Sequence, residues 1–408
     1  MGKNVIVGQS GGPTSVINAS LAGVFQAAKR LGAKTVYGMV HGVDGLLGKR
    51  VVDLGQVLKN DLDIELLKRT PSSFLGSCRC RLPDAAADDT PYRKLLDILQ
   101  QLDIGYFFYI GGNDSMDTIA KLAAYGDATG SGIRFIGVPK TIDNDLVATD
   151  HTPGYGSAAK YIGVVLKELI RDSIIYNVKN VTLVEIMGRN AGWLTGAAAL
   201  ARGEDCEGAD LIYLPEVPFD TEGFLSRIEA LHKQKNSVVV AVSEGIRLAD
   251  GRYVCEQADQ ALKVDAFGHK YLAGAARYLS SQVASRLGCK TRAVELSTLQ
   301  RCAGHLISRT DAAEAFQAGS AAVQAAFDGK TGQMVALHRT GNHPYQCVTR
   351  LCPVKEVANL EKQVPRGWIT PDGTYVTDEF IRYARPLIQE ELAPIYVDGL
   401  PRHISLNL

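Results

Sequence analysis

The sequence carries no net charge: 44 lysines and arginines are matched by 44 aspartates and glutamates in 408 residues. A neutral chain has no global attraction for nucleic acid or anionic lipid, so any phosphate site must come from local clustering. No apolar run approaches the roughly 20 residues of a membrane helix. The amino terminus, Met1 to Asn4 followed by Val5-Ile6-Val7, lacks the apolar stretch and small-residue cleavage site of a signal peptide and reads as the start of a first strand. Ser/Gly linkers, internal repeats and low-complexity tracts are missing too, which leaves domain boundaries weakly marked. Cysteine is sparse. Its 8 scattered residues read as reduced thiols, and the cytoplasm is the expected location.

Two partial signals are decoys. His338, His343, Cys347 and Cys352 lie close enough to invite zinc, yet the segment has no Cys-x-x-Cys knuckle and is interleaved with Pro344, Tyr345 and Gln346. A surface loop and strand is the expectation there. Gly329-Lys330-Thr331 ends like a P-loop, but Gln324 stands where the motif needs its first glycine, so a turn between two elements is expected.

What the chain does have is the composition of an ordered soluble enzyme, 46% hydrophobic and 22% charged, with length for two or three domains. It also has a recurring unit of short apolar run, polar turn and, in most cases, helix. Val5 to Val7 leads into Gly8-Gln9-Ser10-Gly11-Gly12-Pro13 and a helix from about Val16 to Arg30. Tyr106 to Ile110 leads into Gly111-Gly112-Asn113-Asp114-Ser115 and a helix to about Tyr125. Phe135 to Val138 leads into Pro139-Lys140-Thr141-Ile142-Asp143-Asn144-Asp145. Val181 to Ile186 leads into Met187-Gly188-Arg189 and an alanine-rich helix to about Ala201, and Val238 to Val242 into Ser243-Glu244-Gly245. Unalternating apolar runs suit strands covered on both faces, and their alternation with helices makes the chain α/β. Ligands of such sheets bind where loops leave the carboxyl ends of strands, and every cluster above sits there. Glycine-rich loops entering helices add free N–H groups and a positive dipole end. The ligand expected is one with many phosphate oxygens.

The stretch Pro139 to Asp145 is the most informative. Phosphoryl transfer from a hydroxyl needs a carboxylate to take the proton and cations on the phosphate oxygens. Asp143 and Asp145 can supply the base and its partner, Lys140 the cation and Thr141 a hydroxyl. Taken alone, the same residues also read as an Asx-type loop with solvated acids.

Context decides between the two. Ser10-Gly11-Gly12, Gly111 to Ser115, Pro139 to Asp145, Met187-Gly188-Arg189, Ser243-Glu244-Gly245 and Gln300-Arg301, in that order, resemble the phosphofructokinase family from Gly8 to about Arg309. The resemblance implies two similar doubly wound domains with mostly parallel sheets, the active site in the cleft between them, and a C-terminal elaboration. Approximate boundaries are 1–150 for a donor-binding domain, 151–300 for a sugar-phosphate domain, and 301–408 for a return to the first domain plus the elaboration. It makes Asp143 the base for the sugar's 1-hydroxyl, with Asp145 beside it and Thr141 on the transferred group. Gly11 and Gly12 resemble the loop against the donor phosphates. Arg79 matches an arginine near the transferring group, and Arg81 is near enough in sequence to join it. Met187, Gly188, Arg189 and Glu244 match the acceptor-sugar site, and Arg301 the 6-phosphate site. Arg292 matches an arginine contributed by a neighbouring subunit, so a homodimer or homotetramer is implied.

The donor follows from two positions. ATP-using members typically carry glycine where this sequence has Asp114 and Lys140. Asp114 puts bulk and negative charge where a nucleotide's α-phosphate sits, and Lys140 extends a compact cation to the remaining phosphates. This pair resembles the pyrophosphate-dependent branch, which implies reversible phosphorylation of fructose 6-phosphate by pyrophosphate in glycolysis and gluconeogenesis, with Mg²⁺. An ATP-dependent enzyme of the same fold, a non-catalytic regulatory subunit and a seven-carbon acceptor sugar are the alternatives. Three departures from the family pattern stand out. Asn113 replaces an acid that often helps hold Mg²⁺, leaving Asp114, Asp143 and Asp145 as charged partners. Thr298 stands where a His or Tyr meets the 6-phosphate, and Asn180 replaces a second cross-subunit arginine. From Lys330 onward extra helices and strands are expected, including a helix near Asp378 to Leu392.

Overall fold

In the computed structural model of the protein, residues 3–258 and 272–406 are described. Two sheets organise them. The strands of the first are β1 (Asn4–Gln9), β2 (Val36–Met39), β3 (Val51–Asp53), β4 (Ile104–Gly111) and β5 (Arg134–Pro139). The second contains β6 (Asn180–Ile186), β7 (Leu211–Tyr213), β8 (Ser237–Ser243) and β9 (Lys290–Glu295). The chain then returns to the first sheet with β10 (Gln333–Asn342) and β11 (Tyr345–Pro353). The seven-stranded order is β11-β10-β5-β4-β1-β2-β3, and the four-stranded order is β7-β8-β6-β9. Among the described residues of these two sheets, only β3 and β11 run antiparallel to their neighbours. The rest is parallel, and β1, β6 and β8 are buried along their whole length, as unalternating apolar runs require.

Parallel neighbours need crossover helices, and these supply the layers. The helix Ile17–Arg30, which follows β1, packs against Arg309–Phe327. Their backbones approach so closely that a methyl group on Gly23 would meet Phe316 O at 2.1 Å, and one on Gly319 would meet Ser20 O at 2.1 Å. Between the sheets, Tyr155–Ser173 shares a core with Trp193, Leu194 and, from the C-terminal region, Phe380 and Leu387.

Three local expectations shift. The alanine-rich stretch after Arg189 is not one helix: a single α-turn, Trp193–Gly196, tightens into a 3₁₀ segment, Ala197–Ala201. The Phe380 ring lies 2.5 Å from where a Gly196 Cβ would be, so packing sets the local path. The C-terminal helix spans Asp378–Ala384 and continues as 3₁₀ over Arg385–Ile388, because Pro386 has no N–H to extend the α-pattern. The helix after β4 runs further than expected, to Ala128.

The segments of these two partial signals are built as follows. His338 pairs with Asp150, Cys352 Sγ faces Met334 O, and Cys347 lies against a buried His151–Glu314 pair. Residues 329–331 form the turn between Phe327 and Gln333. All eight cysteines are free thiols. No helix among the described residues is long and apolar enough to cross a membrane.

Candidate active site

A cleft of about 630 Å³ opens at the carboxyl ends of β1, β4, β5, β6 and β8. It is lined by Gly11, Gly12, Arg79, Arg81, Asn113, Asp114, Lys140, Thr141, Asp143, Asp145, Met187, Arg189, Glu244 and Arg301. Residues that are far apart in the sequence thus converge because their strands end on one edge.

The loop after β1 is shaped by two cations. Lys140, the first residue beyond β5, is buried and donates from Nζ to Gly12 O at 2.6 Å. Gly11 adopts a φ of +75°, and a methyl group there would meet Lys140 Nζ at 3.2 Å. One on Gly12 would meet Arg301 Nη1 at the same distance, 3.2 Å. Glycine at both positions leaves this floor open to a ligand's phosphate oxygens. Ser115 donates to Ser10 at 3.0 Å and ties the loops after β1 and β4 together. Burial pulls the Lys140 pKa down to about 8, even though the Asp143 and Asp145 carboxylates act to raise it.

Asp114 occupies the second position of the helix Asn113–Ala128, whose N-cap is Gly112. It lines the cleft from the helix's positive end rather than serving as the cap. Asn113 brings an amide oxygen to the same rim. Among the described residues, Asn113 Oδ1 is buried without a hydrogen-bond partner. Nearby, burial pushes the Asp143 carboxyl above the usual range, while Lys140 and Arg189 oppose the shift. Burial, with the Asp143 and Glu361 charges, brings Asp145 up to about 7. The orphaned Asn113 amide oxygen and the neighbouring Asp114 carboxylate are hard oxygen donors, the type a Mg²⁺ ion takes alongside waters and phosphate oxygens.

Thr141 Oγ1 bridges its own loop. It donates to Asp143 Oδ2 at 3.3 Å and accepts from Asp143 N at 3.1 Å. The neighbouring Asn144 holds a positive φ of 56°, which its short amide side chain tolerates. Its Oδ1 accepts from Thr152 N at 3.0 Å and its Nδ2 donates to Tyr383 Oη at 2.7 Å. The carboxylate-bearing loop is therefore braced from behind.

On the opposite wall, Gly188 has a φ of +140° and donates its N–H to Glu244 Oε1 at 3.3 Å. Ser243 Oγ donates to Gly188 O at 2.5 Å, and a methyl group on Gly245 would meet Arg189 O at 2.0 Å. The loops after β6 and β8 are thus locked together, which orients Met187 and Arg189 beside Glu244. Burial raises the Glu244 pKa to about 7.

Three residues singled out in the sequence lie elsewhere. Arg292 projects from β9 away from the cleft and pairs with Asp172 at 2.7 Å. Thr298 is exposed on the 3₁₀ segment Ser297–Arg301 and does not line the cleft. Asn180 is buried and spends its amide on Ser173 O and Val178 O within its own chain. Conversely, Asn190 and the C-terminal residues Asn359, Leu360 and Glu361 line the cleft without a sequence signal. They lie outside the motif clusters, Asn359 to Glu361 being beyond the stretch where any motif recurs.

Comparison with known proteins adds the following. A family model described as Phosphofructokinase matches residues 4–326. A pyrophosphate–fructose 6-phosphate 1-phosphotransferase from Methylococcus capsulatus is 40% identical over 99% of this chain and 96% of its own length. One from Halomonas elongata is 39% identical over 99% and 96%. The crystal structure of a pyrophosphate-dependent phosphofructokinase from Nitrosospira multiformis superposes with a TM-score of 0.90 at 37% identity, covering 100% of this chain and 97% of that one.

Proposed function

The chain belongs to the phosphofructokinase family, and from that premise we propose that it transfers a phosphoryl group from pyrophosphate to the 1-hydroxyl of fructose 6-phosphate. The products are fructose 1,6-bisphosphate and phosphate, and the step is a reversible one of glycolysis and gluconeogenesis in the cytoplasm. One observation carries the donor choice: Asp114 and the buried Lys140 line the same cleft as the Gly11-Gly12 loop. A carboxylate there repels a third phosphate with its nucleoside, while the cation holds the two phosphates that remain.

In this reading pyrophosphate lies over Gly11 and Gly12, with Lys140, Arg79 and Arg81 on its oxygens. The sugar lies against Met187, Gly188, Arg189 and Glu244. Arg301, which lines the cleft, takes the 6-phosphate, whereas Thr298 lies outside the cleft. Asp143 accepts the proton from the 1-hydroxyl as the sugar oxygen bonds to phosphorus and the bridging P–O bond breaks. Thr141 steadies both the Asp143 carboxylate and the transferred group, and Asp145 holds the negative potential that draws cations. Mg²⁺, held by Asp114 with Asn113, would neutralise charge on the phosphate oxygens when bound. Residues 1–150 form the donor half, 151–300 the sugar half and 301–408 the return; the pairing of β10 with β5 supports that division.

The test is a donor-by-acceptor activity matrix. Wild-type protein is expected to use pyrophosphate and fructose 6-phosphate, and a wild type that prefers ATP overturns the donor assignment. Asp114→Gly is expected to raise kcat/KM for ATP by roughly 10- to 100-fold, the worth of removing a like charge from a partly desolvated phosphate site. No ATP gain would mean that other cleft residues also exclude the nucleoside.

We further infer a homodimer or homotetramer. Arg292 points away from its own cleft and shares a hollow with exposed Tyr176 and Val178, near in sequence to exposed Ile174 and Ile175, an apolar face that suits a second copy. Mixing Asp143→Ala and Arg292→Ala chains under subunit exchange is expected to restore activity, since mixed interfaces regain one intact site. A fully active monomer in solution refutes the shared site.

A further inference from the structure

The catalytic loop is clamped from behind by a residue that none of the motifs contains. Residues 359–364 run as an irregular strap between the carboxyl ends of the two sheets. At its centre, Lys362 donates from its main chain to Asp145 O at 2.7 Å. Its ammonium donates to Thr149 O and Asp150 O, both at 3.0 Å. Its carbonyl accepts from Trp193 Nε1 at 2.8 Å, and its Nζ stands 5.2 Å from the centre of the Trp193 ring. On either side of it, Asn190 donates to the Glu361 carboxylate at 3.1 and 3.0 Å, and Glu216 accepts from both Val364 N and Gly192 N.

One residue thus grips two loops. The first, after β5, carries Asp143 and Asp145; the second, after β6, carries Met187 and Arg189. A lysine suits the position because three donors on a flexible stem can take two carbonyls while the cation rests over an indole. Burial pulls its pKa down to about 8, with Asp150 and Asp145 acting against the fall. The hydrogen bonds to Thr149 O and Asp150 O hold the ammonium in place.

We propose that Lys362 is a positioning residue for phosphoryl transfer, fixing the loop from Asp143 to Asp150 at a set distance from the sugar-side loop. This rests on the functional reading given above. Small errors in the placement of a base relative to its hydroxyl lower the chemical step steeply, and they do so without the base itself being touched. Lys362 faces away from the reacting atoms, so its loss is expected to act on turnover rather than on binding.

The experiment compares Lys362→Met, which keeps the stem and removes the cation, with Lys362→Arg, which keeps charge and donors. Rates are taken with whichever donor the wild type uses, so that a wrong donor assignment leaves the comparison intact. They are measured at a fixed interval below each variant's Tm, so that lost stability is not read as lost catalysis. Lys362→Met is expected to lose about 10- to 100-fold in kcat, with KM for both substrates within about threefold. Lys362→Arg is expected to recover most of that loss. The emission of Trp193, one of only 2 tryptophans, is expected to shift in the Met variant and to return in the Arg variant. Wild-type kcat in the folded Met variant overturns the proposal, as does a change confined to KM. If the Met variant does not fold, Lys362→Gln, which still reaches one carbonyl, carries the same expectations and the same refutations.

Discussion

Asp143→Asn is expected to lower turnover by about 10²- to 10⁴-fold, the range for losing a general base, while fructose 6-phosphate still binds within a few-fold of wild type. The substitution keeps the size and shape of the side chain, and its amide can still meet Thr141 Oγ1, which stands 3.3 Å from the native carboxylate. What it removes is the ability to accept a proton as the sugar oxygen attacks. Loop geometry is held by Asn144, Thr152 and Tyr383, none of which contacts the changed atoms, so a large effect reports chemistry and not a collapsed loop. Calorimetric binding of the sugar phosphate alongside kcat separates the two. Near-wild-type turnover would remove Asp143 from the mechanism and shift attention to Asp145.

Lys140→Met is expected to cost about 10²- to 10³-fold in kcat/KM for pyrophosphate, comparable to deleting a pre-aimed stabiliser of developing charge. The ammonium is buried, hydrogen-bonded to Gly12 O, and within reach of any anion on the Gly11-Gly12 floor. Its loss removes charge complementarity at the point where no solvent ion can easily substitute. The same burial sets a pH signature in the free enzyme. With its pKa lowered to about 8, the cation is fully present below that pH and is lost as pH rises through it. Affinity for pyrophosphate is therefore expected to fall above pH ~8 in the wild type, and that fall is expected to vanish in Lys140→Met. A wild-type affinity independent of pH through this range would mean that Lys140 does not titrate there in the free enzyme. Because Lys140 and Asp114 address one ligand, the double variant with Asp114→Gly is not expected to show additive changes.

How far the sequence foretold this arrangement differs from element to element. The strands and the loops at their carboxyl ends were legible, because runs such as Val181 to Ile186 have no polar alternation and must be covered on both faces. Their convergence followed from parallel topology alone. The stretch near residue 195 misleads because alanine content describes propensity, whereas contact with Phe380 decides the path. The strap that brings Glu361 to the cleft and Lys362 behind it is invisible in the sequence, since its residues form no period or motif. Arg292 shows another limit. Its identity was plain in the sequence, but a side chain that leaves its own cleft has meaning only through a neighbour.

The return of the chain to its first sheet also bears on how the protein comes into being. Pro139 ends β5, yet the strand that covers its edge begins at Gln333. At ribosomal speeds of about 5–20 residues per second, the roughly 200 intervening residues take on the order of 10–40 s to appear. Until then the strand that covers this edge in the finished sheet does not exist, and open edges favour pairing with other chains. Tyr383 and Lys362, which hold the loop of Asp143 and Asp145 in shape, emerge later still. A chain ending before residue 362 would thus carry Asp114, Asp143 and Asp145 without either of these two braces.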